Sequence, residues 1–186
     1  MTWASRALAG LALIAALTVA CGSSPSSSSS AKASPTPTPS KAAQITSVDA
    51  CSLVTATEAS AAVGTTVTNL AGGAQIPGAC IYGNQDSQAS VFIYAEAYPD
   101  TTTADAISPD QIAAAMNGQY GISNAKPVSG IGDKAVEYTA TSASGGGIVI
   151  FVFKANVILF IVVSPTSDPT KVEALARTAV GNLPKS

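Results

Sequence analysis

Residues 148–163 read IVIFVFKANVILFIVV, and this apolar stretch decides the fold. A transmembrane helix needs about 20 apolar residues, whereas this stretch has 16 and carries Lys154 and Asn156 at its centre. Its residues are mainly β-branched or aromatic, which favours a strand over a helix. The stretch therefore predicts a β-hairpin with strands Ile148–Phe153 and Val157–Val163.

Both strands of the predicted hairpin are apolar on both faces. Strands of this kind lie centrally in a sheet whose two faces are covered. We expect helices and the 64–80 loop to cover both faces. The alternative is an apolar cleft that a ligand or partner fills. The side chains expected on one face are Ile148, Ile150, Val152, Val157, Leu159, Ile161 and Val163, and those on the other are Val149, Phe151, Phe153, Ile158, Phe160 and Val162.

Shorter signals place the remaining elements. Thr55 and Glu58 have the spacing of a capping box, and Gly64 is the predicted stop of that first helix. Strands are predicted at 65–70, 79–82, 90–98 and 134–142, and further helices from Ser108 to about Met116, before Asn117-Gly118, and from Asp168 to Leu183. The expected fold is α+β: a single domain with a mostly antiparallel sheet of about five to six strands, packed by about three helices.

The composition excludes several classes of function. Charged residues make up 11% of the 186 residues, and the net charge is −2, so there is no basic surface for nucleic acid. The chain has no histidine. This absence excludes histidine-based catalytic triads, histidine metal ligands and a histidine pH switch within the chain.

The N-terminal region resembles an export signal followed by a lipid anchor. Arg6 precedes an apolar run of fourteen residues, Ala7–Ala20, which is typical of a secretory signal peptide over residues 1–20. The sequence LTVACG at 17–22 resembles the lipobox of bacterial lipoproteins, which implies acylation of Cys21. The alternative is an ordinary cleaved signal with an incidental cysteine.

A tether and a domain are expected to follow Cys21. Residues 22–41 are rich in Ser, Pro and Thr and have no large apolar side chain. Such a segment cannot bury enough surface to offset the entropy of ordering it. We therefore expect a disordered tether over 21–45, reaching roughly 80 Å when extended, and a globular domain over 46–186.

The three cysteines are consistent with this organisation. If Cys21 carries lipid, Cys51 and Cys80 remain as a pair, which should be a disulfide outside the cytoplasm. The alternative of a metal or redox pair is disfavoured, because the spacing is not C-x-x-C and no histidine is present.

Several short motifs occur in an order that resembles a known family. They are Asp49-Ala50-Cys51-Ser52-Leu53-Val54-Thr55 before a helix, Cys80-Ile81-Tyr82 in a strand, Gly130-Ile131-Gly132-Asp133 before a strand, and the final helix at 168–183. This order is similar to the actinobacterial lipoprotein family catalogued as domain of unknown function 3558. The resemblance implies a one-domain envelope lipoprotein with no established activity, so it transfers no catalytic residue.

Signals of catalysis are weak, and no cofactor or metal is predicted. Ser123 and Lys126 have S-x-x-K spacing, but Pro127 opposes the helix that this chemistry needs. Ser129 lacks the G-x-S-x-G context, and Gly145-Gly146-Gly147 lacks the G-K-[ST] of a phosphate loop. Asp100 and Asp105 could hold a hard cation, although loop roles are favoured. The carboxylates weighed for hydrolysis are Glu96, Asp133 and Glu137.

The sequence therefore predicts a protein at the cell membrane, lipid-anchored at Cys21 on the extracytoplasmic face. Its domain is expected to be a non-catalytic binding or accessory module, engaging an envelope protein or an apolar small molecule. One alternative is an envelope hydrolase that uses carboxylates as acid and base, and another is a structural spacer.

Overall fold

A seven-stranded antiparallel sheet organises the chain in a computed structural model that describes residues 44–70, 76–141 and 146–185. Its order is β1-β2-β3-β7-β6-β5-β4. The predicted signal peptide, Cys21 and nearly all of the predicted tether lie outside the described residues, as does Gly145. The strands are β1 Thr68–Asn69, β2 Ala79–Asn84, β3 Ala89–Ala97, β4 Ser123–Val128, β5 Lys134–Ala140, β6 Gly147–Lys154 and β7 Val157–Ser164.

Four α-helices accompany the sheet in the described part of the chain, after a short 3-10 turn at Ala50–Ser52. The predicted α+β class and the antiparallel sheet are confirmed. The sheet has one more strand than the upper prediction, and there is one more helix than expected. The helices are α1 Ala56–Val63, α2 Thr101–Asp105, α3 Pro109–Tyr120 and α4 Pro169–Gly181.

The predicted hairpin is confirmed and forms the centre of the sheet. Strands β6 and β7 pair from Ile148 opposite Val163 to Lys154 opposite Val157. β7 is the fourth of the seven strands, with β3 on its other side. The predicted division of apolar side chains between two faces is also confirmed, because each set belongs to a separate buried cluster.

The first face of the sheet, which carries Ile148 and Leu159, packs against α1 and α4. The predicted capping box of α1 is present: the Glu58 N–H donates to Thr55 Oγ1 at 3.3 Å, and the Thr55 N–H donates to Glu58 Oε2 at 2.7 Å. The helix ends at Gly64, whose φ of +82° is left-handed. The Val172, Leu175, Ala176 and Ala179 side chains form the buried stripe of α4.

The second face, which carries Phe151 and Phe160, packs against α2 and α3. The sequence did not predict α2, whose residues TTTAD carry no apolar period. It begins because Asp100 Oδ1 accepts hydrogen bonds from Thr103 N at 2.7 Å and Thr103 Oγ1 at 2.8 Å. Asp100 therefore has a capping role, in line with the loop role favoured from the sequence, and Asp105 is the last residue of α2.

Two predicted elements had wrong boundaries, and one strand was missed. Helix α3 continues through Asn117-Gly118 and ends at Tyr120, where Gly121 takes a left-handed φ of +57°; a single glycine costs only about 1 kcal/mol inside a helix. The strand predicted at 65–70 contains only Thr68–Asn69. Edge strand β4 was missed because its mostly exposed residues show no apolar alternation.

Two long-range links close the domain. Cys51 and Cys80 are joined by a disulfide, as predicted, with their Cα atoms 5.0 Å apart. The buried Asn156 side chain binds the backbone of Ile45 through both its amide nitrogen and its oxygen. The folded domain therefore begins at or before Ile45, which the predicted boundary had placed in the tether.

Candidate functional site

An apolar cleft of about 360 Å³ opens on the second face of the sheet, between β3 and α3. The full coverage that we favoured from the sequence is therefore wrong on this face. Helix α2 has five residues and α3 has twelve, and this pair leaves the aromatic side chains of β3 only partly buried.

The floor of the cleft follows from the alternation of β3. Residues at every second position from Val91 are buried on the first face, so Phe92, Tyr94 and Glu96 project from the second. Their partners across the ladder to β7 are Val162, Phe160 and Ile158, respectively. Because all these side chains lie on one face, the floor is a continuous aromatic and aliphatic surface with one acid at its end.

Phe160 is the centre of the aromatic part of the floor. Its ring lies 5.0 Å from the Phe151 ring in a stacked arrangement, and 5.8 Å and 5.9 Å from the edge-oriented rings of Phe92 and Tyr120. Edge-to-face and stacked pairs each contribute about 0.5–1.5 kcal/mol beyond the burial of their area. This network holds the floor in a defined shape.

The wall of the cleft is one side of α3. Ile112, Met116 and Tyr120 recur at four-residue spacing and face the floor, with Gln119 beside them. The start of the helix is held to β5 because Tyr138 Oη donates to Asp110 Oδ1 at 2.8 Å. The wall is therefore fixed to the sheet at its N-terminal end.

Ile76 stands at the edge of the cleft and is 47% exposed. It is the one large hydrophobic side chain that is exposed in the described ranges. An exposed apolar residue next to an apolar cleft extends the surface that a ligand can contact.

One polar cluster lies among the apolar lining. Tyr98 Oη and Tyr94 Oη both donate to Glu96 Oε2, at 2.9 Å and 3.3 Å. Burial, together with the Glu96 carboxylate, raises the pKa of Tyr98 to about 12 and also raises the pKa of Tyr94. Both phenols therefore stay protonated at neutral pH and act as hydrogen-bond donors.

The structure places the three carboxylates considered for hydrolysis at separate sites. Glu96 lines the cleft, whereas Glu137 lies on the first face of β5. Asp133 accepts hydrogen bonds from Lys154 Nζ and from the Ala155 N–H, both at 2.8 Å, and these contacts lower its pKa. No two of the three line one cleft, so they form no acid–base pair across a substrate.

Glu137 lines a second, more open cavity of about 540 Å³, between the start of β6 and the start of α4. The residue is 7% exposed, and Oε2 has no hydrogen-bond partner. Burial raises the pKa of this carboxyl, and the nearby Lys126 partly opposes the shift. Thr139, Thr166 and Ser167 also line this cavity.

The weak catalytic motifs do not form sites. Ser123 and Lys126 lie on the exposed strand β4, not on a helix, so the lysine is not one helical turn from the serine. Gly147 begins β6, where a Cβ atom would meet the Val163 carbonyl oxygen at 2.4 Å. This glycine is therefore needed for strand packing.

The described residues contain neither a cluster of metal-binding side chains nor a membrane-spanning helix. No group of three or more Cys, Asp or Glu side chains in these ranges is arranged to hold a metal ion. No helix within 44–70, 76–141 and 146–185 is both long and apolar enough to cross a membrane.

No family model matches the chain, and no match was found among curated proteins. The resemblance to domain of unknown function 3558 therefore stays a prediction.

Sequence reasoning found part of the cleft. It identified Phe151, Ile158 and Phe160 as one face of the hairpin, and Ile112 and Met116 as one side of a helix. It missed the aromatic stripe of β3, although Phe92, Tyr94 and Tyr98 stand at even spacing with Glu96 among them. That alternation was the available signal.

Proposed function

We propose that this chain is a lipid-anchored extracytoplasmic binding module that holds an apolar small molecule in the cleft between β3 and α3. The observation that carries the proposal is an open, aromatic-lined concavity of about 360 Å³ on the second face of the sheet. A fold that only spaced other components would gain nothing from leaving these side chains in contact with water.

The shape of the site favours a small molecule over a protein partner. Ligand pockets measure about 300–1,000 Å³ and are mostly apolar, with a few polar groups that fix orientation. The cleft has a volume within that range and one polar cluster at Glu96. Protein partners more often bind flatter and larger surfaces.

The carboxylate hydrolase is the weaker candidate. Glycoside hydrolysis needs two carboxyl groups on opposite sides of one substrate. Glu96 is the single acidic residue among the described residues that line the cleft, and Glu137 is the single acidic residue at the other cavity. Binding therefore agrees with the geometry better than hydrolysis does.

The binding proposal is tested with the uncharged fluorescent probe N-phenyl-1-naphthylamine. We expect its fluorescence to rise on binding to the domain, and Met116→Arg to weaken the binding at least tenfold by placing a long cation in the cleft. Asn117→Arg is the matched control, because Asn117 lies next to Met116 on α3 but does not line the cleft. Equal binding by both variants, or none by the wild type, would overturn the proposal.

The anchoring part of the proposal is supported by the apolar run Ala7–Ala20 and the lipobox-like residues around Cys21. In the native host, Cys21→Ala is expected to move the protein from the membrane fraction to the soluble fraction. The expected mass of the wild type includes a diacyl or triacyl group on Cys21. Retention of the Cys21→Ala variant in membranes would contradict lipid anchoring.

A further inference from the structure

We infer that the ligand of the cleft is a small cationic amphiphile, whose apolar part lies on the aromatic floor and whose amine is held by the Glu96 carboxylate. This inference rests on the proposed function and names the ligand class for the same site.

The cleft carries a negative charge at Glu96. Among the twelve described residues that line it, Glu96 is the one charged residue. No Lys or Arg of the described residues forms an ion pair with it, since the two ion pairs there are Lys154 with Asp133 and Arg177 with Glu173. The cleft therefore presents one negative charge without a cation.

The Glu96 carboxylate accepts hydrogen bonds on one of its two oxygens. Both tyrosine hydroxyls donate to Oε2, which holds the carboxylate in place beside the aromatic floor. A carboxylate has about four acceptor positions on its two oxygens. Oε1 accepts no hydrogen bond from the described residues, so it is available to a donor on a ligand.

The Glu96 carboxylate discriminates among the polar groups that a ligand could carry. An anionic group would be repelled by Glu96, and a neutral hydroxyl would gain one hydrogen bond without an ion pair. An ammonium group gains both, and the electron-rich faces of neighbouring tyrosine and phenylalanine rings also attract cations. Charge complementarity therefore favours an amine at this end of the cleft.

The test compares three probes with the same eight-carbon chain: octylammonium, octan-1-ol and octanoate. Each is used at low salt to displace bound N-phenyl-1-naphthylamine, with octylammonium and octanoate kept below their micelle concentrations and octan-1-ol below its solubility limit. We expect the amine to bind the wild type roughly fivefold or more tighter than the alcohol, and octanoate to bind weakest. The preference for the amine should fall as salt is added.

Glu96→Gln is expected to bring the ratio of amine to alcohol affinity close to one. Asp86→Asn is the matched control, because it removes the same charge from the exposed turn between β2 and β3. It should keep the wild-type ratio. This pair of variants separates a local ion pair from an effect of net charge.

The outcomes distinguish the two proposals. If the alcohol and the amine bind the wild type equally, or if Glu96→Gln keeps the preference for the amine, the cationic ligand is excluded while the apolar cleft stands. If the naphthylamine probe and the three chains all fail to bind the wild type, both proposals are overturned.

Discussion

At the scale of single residues, Asn156 shows how one polar side chain joins distant parts of the chain. It lies in the β6–β7 turn and is 1% exposed. Its Nδ2 donates to the carbonyl oxygens of Ile45 and Tyr98, and its Oδ1 accepts from the Ile45 N–H. Asn156, one of the two polar residues that argued against a transmembrane helix, therefore connects the first described residues to the end of β3.

Asn156→Ala is expected to lower the free energy of unfolding by roughly 2–4 kcal/mol, because it leaves buried backbone groups without partners. Urea denaturation measures the change. The control is Asn84→Ala, which also removes three hydrogen bonds, one to the Thr66 carbonyl oxygen and two from the Asp86 and Ser87 N–H groups, but at a partly exposed site. Water can replace these bonds, so the loss should be smaller, on the order of 1 kcal/mol. Equal losses would show that burial adds nothing to the contribution of the Asn156 hydrogen bonds.

The buried carboxyl group of Glu137 should make the stability of the domain depend on pH. Its pKa in the folded protein is raised above the usual 4.5 by burial, so the folded state holds this proton more tightly than the unfolded state. Its contribution to stability is full below pH about 4.5 and is lost as pH rises through the folded pKa. We expect Glu137→Gln to remove this loss. The free energy of unfolding of the variant should therefore increase relative to that of the wild type as pH rises.

Urea titrations at several pH values measure that difference. Asp86→Asn, at an exposed turn position, serves as the control for removing one carboxyl. If wild type and Glu137→Gln keep a constant difference in stability from pH 4 to pH 8, the Glu137 carboxyl is not destabilised by burial.

At the scale of elements, the turn before β5 depends on glycine. Gly132 has a φ of +61°, and a Cβ atom there would lie 2.5 Å from the Phe153 carbonyl oxygen. The close approach allows the Asp133 N–H to donate to that oxygen at 2.8 Å. The turn thereby positions Asp133 for its contacts with Lys154 and Ala155.

Gly132→Ala should therefore destabilise the domain by roughly 2–4 kcal/mol, through backbone strain and overlap with β6. Gly118→Ala is the contrasting variant, because a Cβ atom there has no neighbour within 4 Å inside helix α3. It should stabilise the domain by up to about 1 kcal/mol. Thermal unfolding tests whether Gly132→Ala lowers the stability of the domain and Gly118→Ala raises it.

The elements also differ in how well the sequence predicted them. Helices α1 and α4 have local caps and apolar stripes, and β6 and β7 have apolar runs, so all four were predicted within a few residues. Helix α2 has a cap at Asp100 but no apolar stripe, and strand β4 has no apolar run. Their structure depends on Asp100 capping and on pairing of β4 with β5, which are not visible as a repeat in the sequence.

At the scale of the whole molecule, two apolar clusters on opposite faces of one sheet stabilise the domain. The first includes the buried Cys80, which the disulfide links to Cys51 beside the start of α1. The disulfide closes a loop of 29 positions and thereby restricts the unfolded chain.

Replacing both Cys51 and Cys80 by serine is expected to lower the free energy of unfolding by about 2–4 kcal/mol. Urea denaturation measures the loss, and a reducing agent should destabilise the wild type by a similar amount. Cys21→Ala, which leaves the disulfide intact, should have the wild-type midpoint. If reduction does not change the wild-type midpoint, the cross-link does not contribute to stability.

The sequence was sufficient to predict the α+β class, the central hairpin, the two apolar faces of that hairpin and the cysteine pair, because alternation, capping, apolar length and cysteine count can be read along the chain. The opening between β3 and α3 depends on tertiary packing instead. Coverage depends on where α3 lies across β3 and β7, and those strands are joined by more than 50 residues of chain. The alternation of β3 places Glu96 beside Tyr94 and Tyr98 on one face, but only the packing of α3 over that face makes it the floor of a cleft.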